Sequence, residues 1–320
     1  MKRILYIVIG ISLTACLTEV DLSDLRESPR LVVNGVAVAG EPLRLSVTRT
    51  WFYTDDHPNV VIPNATVRLY VNDHYEETIP FVPGDTLFNA AGSYQAAFVP
   101  KMADRLRLEV SAPGYEAIHA ETVIPQASQL LEAKAVRDVS TSDSTVKRVV
   151  YSISFQDAVE EENYYLFRLE EGNLINEEEA TYSWRVLYLD YAEEPLFVQT
   201  TSALDQILFS QYLSGYDGRV FSDETINGKS YTIRLQTSTH YVSEATKRLR
   251  VRLYAISADY YRYLKTLQDQ SDRSFANHLI DAGLAEHIRV YSNIDVGLGI
   301  FGGCAPNKIE VDYEYAYNRP

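Results

Sequence analysis

Apolar residues recur at every second position through much of this chain, and that period commits it to sheet. Leu43, Leu45 and Val47 alternate with Arg44 and Ser46; Val67, Leu69 and Val71 with Arg68 and Tyr70; Leu106, Leu108 and Val110 with Arg105, Arg107 and Glu109. Successive side chains on a strand point to opposite faces, so each run has one apolar and one polar side. That is the pattern of antiparallel sheet packed on a single face. Asn34-Gly35, Gly40, Pro63-Asn64, Pro83-Gly84, Gly92 and Pro113-Gly114 punctuate the runs as turns. Short strands so spaced predict an immunoglobulin-like β-sandwich over residues 30–126. At 320 residues the chain is longer than one domain usually is. Gln126-Ala127-Ser128 is the boundary the sequence offers, with a second domain over 127–320.

The second region again reads mainly as strands, clearest at 149–155, 164–169, 182–189, 231–235 and 249–256. Asn227-Gly228, between Phe221 and the strand at Tyr231, carries a hairpin signal. One helix is expected over 259–268, capped by Ser257 or Asp259, with Tyr260, Tyr263, Leu264 and Leu267 on one face. A second helix is expected over 275–284, and Val311, Tyr313, Tyr315 and Tyr317 alternate as a final strand. The expectation is a mainly β chain, with a C-terminal β-rich, sandwich-like domain and a small helical insert. The 24 Tyr and 11 Phe fit both strands and wet recognition surfaces.

The N-terminus addresses the chain. Lys2 and Arg3 precede an apolar run from Ile4 to Leu13, too short to span a bilayer, and Leu13-Thr14-Ala15-Cys16 follows. Those four residues match the lipobox of bacterial lipoproteins, in which a peptidase cuts before the cysteine and the cysteine is acylated. Residues 1–15 are then a signal peptide, Cys16 the lipidated residue, and 16–29 an acidic tether. A net charge of −15 repels nucleic-acid phosphates and anionic headgroups alike. No nucleic-acid partner is expected, and membrane attachment falls to acyl chains at about 0.8 kcal/mol per buried methylene. With Cys16 acylated, Cys304 has no partner, and a disulfide scaffold is excluded.

No catalytic motif stands out. Gly297, Gly299 and Gly302 satisfy G-x-G-x-x-G, but Gly303-Cys304-Ala305-Pro306 starts a helix badly, and too few residues remain for a βαβ unit. A bulged or tightly packed strand is the better reading of these glycines. His57, His74, His119, His240, His278 and His287 show no metal-binding spacing, so neither a metal nor a cofactor is expected. Glu160-Glu161-Glu162 and Glu177-Glu178-Glu179 read as solvated turns. G-x-S-x-G and P-loop motifs are absent, so an enzyme is not expected, although a hydrolase using a carboxylate pair stays an alternative. Two contact candidates remain. Trp51-Phe52-Tyr53 cannot all face one core, so they either pack beneath a loop or meet a ligand or partner. Arg248, Arg250 and Arg252 share one strand face, either for an acidic partner or glycan or for pairing with neighbouring carboxylates.

Tyr291-Ser292-Asn293-Ile294 with Gly297 to Gly302, Tyr260-Tyr261-Arg262-Tyr263-Leu264, Phe221-Ser222-Asp223 with Asn227-Gly228-Lys229, Leu31-Val32-Val33-Asn34-Gly35, and Ala65-Thr66-Val67 stand out as a set. Together they resemble a domain-of-unknown-function family of Bacteroidota outer-membrane lipoproteins. Val296 departs from the paired glycines such chains often carry there, and 275–287 is longer. The resemblance implies a TonB-dependent outer-membrane receptor as partner. It also implies a position facing the cell exterior, which Glu19, Asp21 and Asp24 after the cysteine fit. It brings no catalytic residues. The expected function is a lipid-anchored outer-membrane accessory or binding lipoprotein assisting such a receptor in nutrient uptake. A structural or adhesive surface protein that binds glycan or protein is the alternative.

Overall fold

A computed structural model describes residues 24, 26–52, 54–55, 60–84, 92–140, 147–159, 162–176, 178–187, 189, 191, 194–198, 218–238, 246–271, 280 and 289–315. The signal peptide, Cys16, most of the tether, Tyr53, Tyr317, four of the histidines (His57, His240, His278 and His287) and, Ile280 apart, the expected 275–284 helix lie outside these residues. Seventeen strands form among the described residues. The first eight are β1 (Leu31–Val38), β2 (Arg44–Arg49), β3 (Thr66–Val71), β4 (His74–Ile79), β5 (Phe81–Val82), β6 (Ser93–Gln95), β7 (Arg105–Ser111) and β8 (Ile118–Val123). Then come β9 (Gln129–Ser140), β10 (Lys147–Gln156), β11 (Tyr164–Asn176), β12 (Thr181–Val186), β13 (Arg219–Ser222), β14 (Ser230–Ser238), β15 (Thr246–Ile256), β16 (Leu298–Asp312) and β17 (Glu314–Tyr315). Two helices join them, α1 (Pro195–Val198) and α2 (Ala258–Ser271). The chain is mainly β, as its periodicity predicts. Among the described residues no helix is long and apolar enough to cross a membrane.

One nine-stranded sheet backs two sandwiches. Its order is β12-β11-β15-β16-β1-β2-β6-β5, with β13 also on β11. The N-terminal half of this sheet shares its core with the four-stranded sheet β4-β3-β7-β8, forming the immunoglobulin-like sandwich. The C-terminal half faces β14-β10-β9-β17, and rings from the two layers meet: Phe155 of β10 lies 5.8 Å from Tyr165 of β11 and 6.0 Å from Phe221 of β13.

β16 is the seam. Residues 298–304 pair in parallel with β1, and residues 304–312 pair antiparallel with β15. Cys304 alone is matched on both sides, to Val38 and to Ile256. The sequence boundary at 126/127 therefore marks a crossing between layers, while backbone hydrogen bonding runs through both halves in the shared sheet.

The glycines before Cys304 make this seam possible, as a tightly packed strand. Gly299 has φ +108°, and a Cβ there would stand 2.0 Å from the Val33 carbonyl oxygen. A Cβ on Gly303 would meet the Val123 carbonyl at 2.2 Å, and one on Gly302 the ring of Tyr260 at 2.7 Å. Asn293 then pins the strand, its Oδ1 accepting from Phe301 N and its Nδ2 donating to Phe301 O, each at 2.9 Å.

Two turn readings are corrected. Asn34-Gly35 lies inside β1, where Gly35 lets the backbone sit against Leu45. Asn227-Gly228 does not close a hairpin, because β13 pairs with β11 and β14 with β10 in another sheet. It is a crossing between layers, and Gly228 supplies its left-handed residue at φ +69°.

Candidate functional site

A cleft of about 730 Å³ opens beside the seam. One wall is the end of β8 with Thr122, Val123 and Pro125; the other is Ala158, Val159 and Glu162 to Tyr164; the floor is Ile256 to Asp259, where β15 passes into α2. Local chemistry explains the floor. Ser257 Oγ caps α2 by accepting from Tyr260 N at 3.4 Å, and it also accepts from Gly303 N at 3.0 Å, tying the helix start to β16. α2 then lays Tyr260, Tyr261 and Leu264 on Tyr164, Leu166, Tyr254 and Ile256, closing the sheet face away from the main core. Tyr164 and Tyr261 stack with ring centres 4.6 Å apart.

Three charged groups of the cleft, Glu162, Asp259 and Arg105, have partners of their own. Glu162 accepts from the Tyr164 hydroxyl at 2.9 Å, and Asp259 from the Tyr291 hydroxyl at 2.5 Å and from Arg262 at 3.1 Å. Arg105 binds Asp73 through both carboxylate oxygens, at 2.8 and 3.0 Å. Of the two glutamate triplets, Glu162 is thus a cleft residue, whereas Glu178 and Glu179 donate backbone N–H groups to Asn176 in an exposed turn. His74 Nδ1 donates to the Asn72 carbonyl at 2.8 Å, and His119 lies 3.4 Å from Asp295. Among the described residues no three of His, Cys, Asp and Glu gather as a metal site.

Behind the loop wall lies a pair of buried acids that sequence reading did not single out. Asp157 Oδ2 accepts from Gly228 N at 2.7 Å, and its Oδ1 takes the Tyr165 hydroxyl. Asp223 Oδ2 accepts from the backbone N and the side-chain Nδ2 of Asn163, at 2.9 and 3.1 Å. Asp157 thus holds Gly228 and Asp223 holds Asn163, two bonds that clasp the cleft wall to the 223–229 turn. Burial raises the Asp157 carboxyl above its ordinary 3.8, and the nearby Asp223 charge adds to it. The signal was in Asp223 and Asn227-Gly228, residues of the quoted resemblance, but their contact across a gap of some seventy positions has no local signature. Cys304 is buried, and its thiol is pushed up to about 12 by desolvation, so it stays protonated and inert at neutral pH.

The arginine row forms a bonded ladder. Arg248 Nε donates to Asp312 at 3.0 Å, Arg250 Nε to Glu310 at 2.8 Å, and Arg252 Nε to Glu170 at 3.0 Å. The Arg250 guanidinium carbon also lies over Trp184, 3.6 Å from the ring centre, and Trp184 fills the space left by the missing side chain of Gly172. Of the aromatic triplet, Trp51 is 50% exposed and Phe52 lies under the Arg26 guanidinium at 5.0 Å. The cleft, the ladder and the aromatic loop are three separate places. A family described as a domain of unknown function (DUF4249) matches residues 18–310. No curated protein matches the chain.

Proposed function

We propose, for a chain that belongs to the DUF4249 family, the role of a lipid-anchored outer-membrane lipoprotein that faces outward and assists a TonB-dependent receptor in nutrient uptake. The observation that carries this reading is Leu13-Thr14-Ala15-Cys16 behind a short apolar run. The tether after it separates anchor from fold. The resemblance to Bacteroidota outer-membrane lipoproteins rests largely on residues that build the seam, Asn293 and Gly297 to Gly302, so it reaches the part of the fold that shapes the cleft. The cleft suits recognition better than catalysis. Of its carboxylates Glu162 is held by tyrosine and Asp259 by tyrosine and arginine, and the acid raised by burial, Asp157, lies behind the wall and is spent on the loop clasp.

The test is cellular fractionation followed by gentle-detergent isolation. Cys16→Ala should move the protein from the membrane to the soluble fraction, and unchanged partition would overturn the anchor. The wild-type protein should bring an outer-membrane receptor with it. Isolation of an anchored protein with no receptor would overturn the accessory role and leave the anchor standing.

A further inference from the structure

We propose that the end of the shared sheet from which the tether departs is a second, protein-borne contact with the lipid surface, with Trp51 as the side chain that enters it. The proposal rests on acylation of Cys16 as read above. Strand register fixes the place. Leu31 stands opposite Arg49, and the ladder continues beyond both strands: Thr50 N donates to Arg30 O, and Arg30 N to Thr50 Oγ1, each at 2.9 Å. Residues 26–30 therefore run beside Thr50, Phe52 and Asp55. Arg26 locks them together, with its guanidinium 2.5 Å from Asp55 and over the Phe52 ring. Trp51 is left pointing to solvent at the exit of the tether, half exposed. Leu298 pairs in parallel with Val32, so Val296, 45% exposed, adds a second apolar side chain at the same end.

The tether supplies the reach. Between Cys16 and Arg26 the chain extends at most about 35 Å, so the acyl chains hold this end of the molecule, before any other, near the headgroups. An indole is the side chain best suited to that zone, with an apolar body and one N–H donor. The arginines at this end are already partnered, Arg26 by Asp55, Arg30 by Glu27 at 3.9 Å and Arg49 by the Thr50 carbonyl at 3.3 Å, so the contact rests on the apolar side chains. The acyl anchor holds the protein to the membrane, and Trp51 fixes which way it stands.

The chain has two tryptophans, and the second, Trp184, is packed under Arg250, so the Trp51 emission is the wild-type spectrum minus that of Trp51→Phe. The lipidated full chain is placed in phosphatidylethanolamine–phosphatidylglycerol vesicles and compared with soluble Cys16→Ala. The expected result is a Trp51 component shifted to shorter wavelength and quenched by lipid brominated near the headgroup end of its acyl chain. Vesicle-bound protein with Trp51 at its water-exposed wavelength and unquenched would overturn the contact while leaving the anchor intact. Protein that does not float with the vesicles would overturn the anchor and this inference with it. Quenching that appears only after a receptor is added would make the occupant a protein and overturn the lipid contact.

Discussion

Between β4-β3-β7-β8 and the shared sheet the buried side chains are mostly aliphatic, with Val67, Leu69, Leu106, Leu108 and Val110 meeting Leu31, Val33, Leu45 and Val47. Between β14-β10-β9-β17 and the same sheet aliphatic side chains such as Val149, Ile153, Leu169 and Val251 are joined by a cluster of rings, Tyr151, Phe155, Tyr165, Phe167 and Phe221. Buried charge follows the rings: Arg137, Asp157, Glu170, Glu171, Glu194, Arg219 and Asp223 all lie beyond residue 128. One sheet thus backs two cores of different chemistry. An aliphatic core needs only volume and alternation to specify it. A core that buries ions must give each one hydrogen bonds or a counter-charge, because an uncompensated charge in low dielectric is costly. The C-terminal sandwich is therefore the half in which a single polar substitution does most damage.

The largest expected effect tests that asymmetry within one ion pair. Glu171 is fully buried and accepts from Arg185 Nε at 2.7 Å, while the Arg185 side chain is 63% exposed. Arg185→Ala strips a counter-charge from a carboxylate that stays inside, and should cost about 3 kcal/mol. Glu171→Gln leaves the arginine in water and keeps the shape, and should cost about 1 kcal/mol. Urea unfolding of the two variants checks the order. Equal losses would mean the glutamate is solvated, and the contrast between the two cores would lose its main support.

Legibility divides along the same line. Alternation in β3 and β7 announced the N-terminal sandwich because every inward position there is apolar and every charge points out. The helix near 259–268 was visible from its aromatic stripe and forms over 258–271. In β11, Glu170 and Glu171 are consecutive and both buried, one on each face, a pattern that reads as a break in the strand. Their partners Arg250 and Arg185 come from different neighbouring strands, and only the sheet order brings them together. The seam was half legible: the glycines signalled a tight strand, but its parallel pairing with β1 joins residues some 265 positions apart in sequence. The cleft was not legible, since its walls meet only once that pairing exists.

Asp157→Asn is the middle case. The acid receives two donors, Gly228 N and the Tyr165 hydroxyl, and an amide offers one acceptor oxygen and turns an N–H toward the other donor. A loss of about 1–3 kcal/mol is expected, with loosening of the 223–229 turn read by amide exchange. The pH dependence carries a definite sign. The folded carboxyl titrates above its ordinary 3.8, so the native state holds the proton more tightly than the unfolded chain. Its contribution is full below 3.8 and is lost as pH rises through the raised folded value. Wild type should therefore exceed the asparagine variant by most at the acid end, the gap narrowing toward neutral pH. A gap that widens with pH would mean the buried acid is stabilised as a carboxylate, and the clasp would be an ionic one.

The smallest effect belongs to the aliphatic side and should have the opposite sign. Along β8, Ile118, Ala120 and Thr122 point inward and His119, Glu121 and Val123 outward. Thr122 is 6% exposed, and its Oγ1 finds no hydrogen-bond partner. A buried hydroxyl in that state loses its water and gains nothing in exchange. Thr122→Val keeps the branched shape and the β preference and removes the orphan oxygen, so it should stabilise the protein by about 1 kcal/mol. In the C-terminal sandwich the same kind of exchange at a hydrogen-bonded acid such as Glu171 or Asp157 strands a partner and destabilises. If Thr122→Val lowers the urea midpoint, the hydroxyl has a partner after all, and the N-terminal core depends on polar contacts in the way its neighbour does. If it raises the midpoint, the two cores differ in sign as well as in size, which follows from one having its charges outside and the other having built its sheet around them.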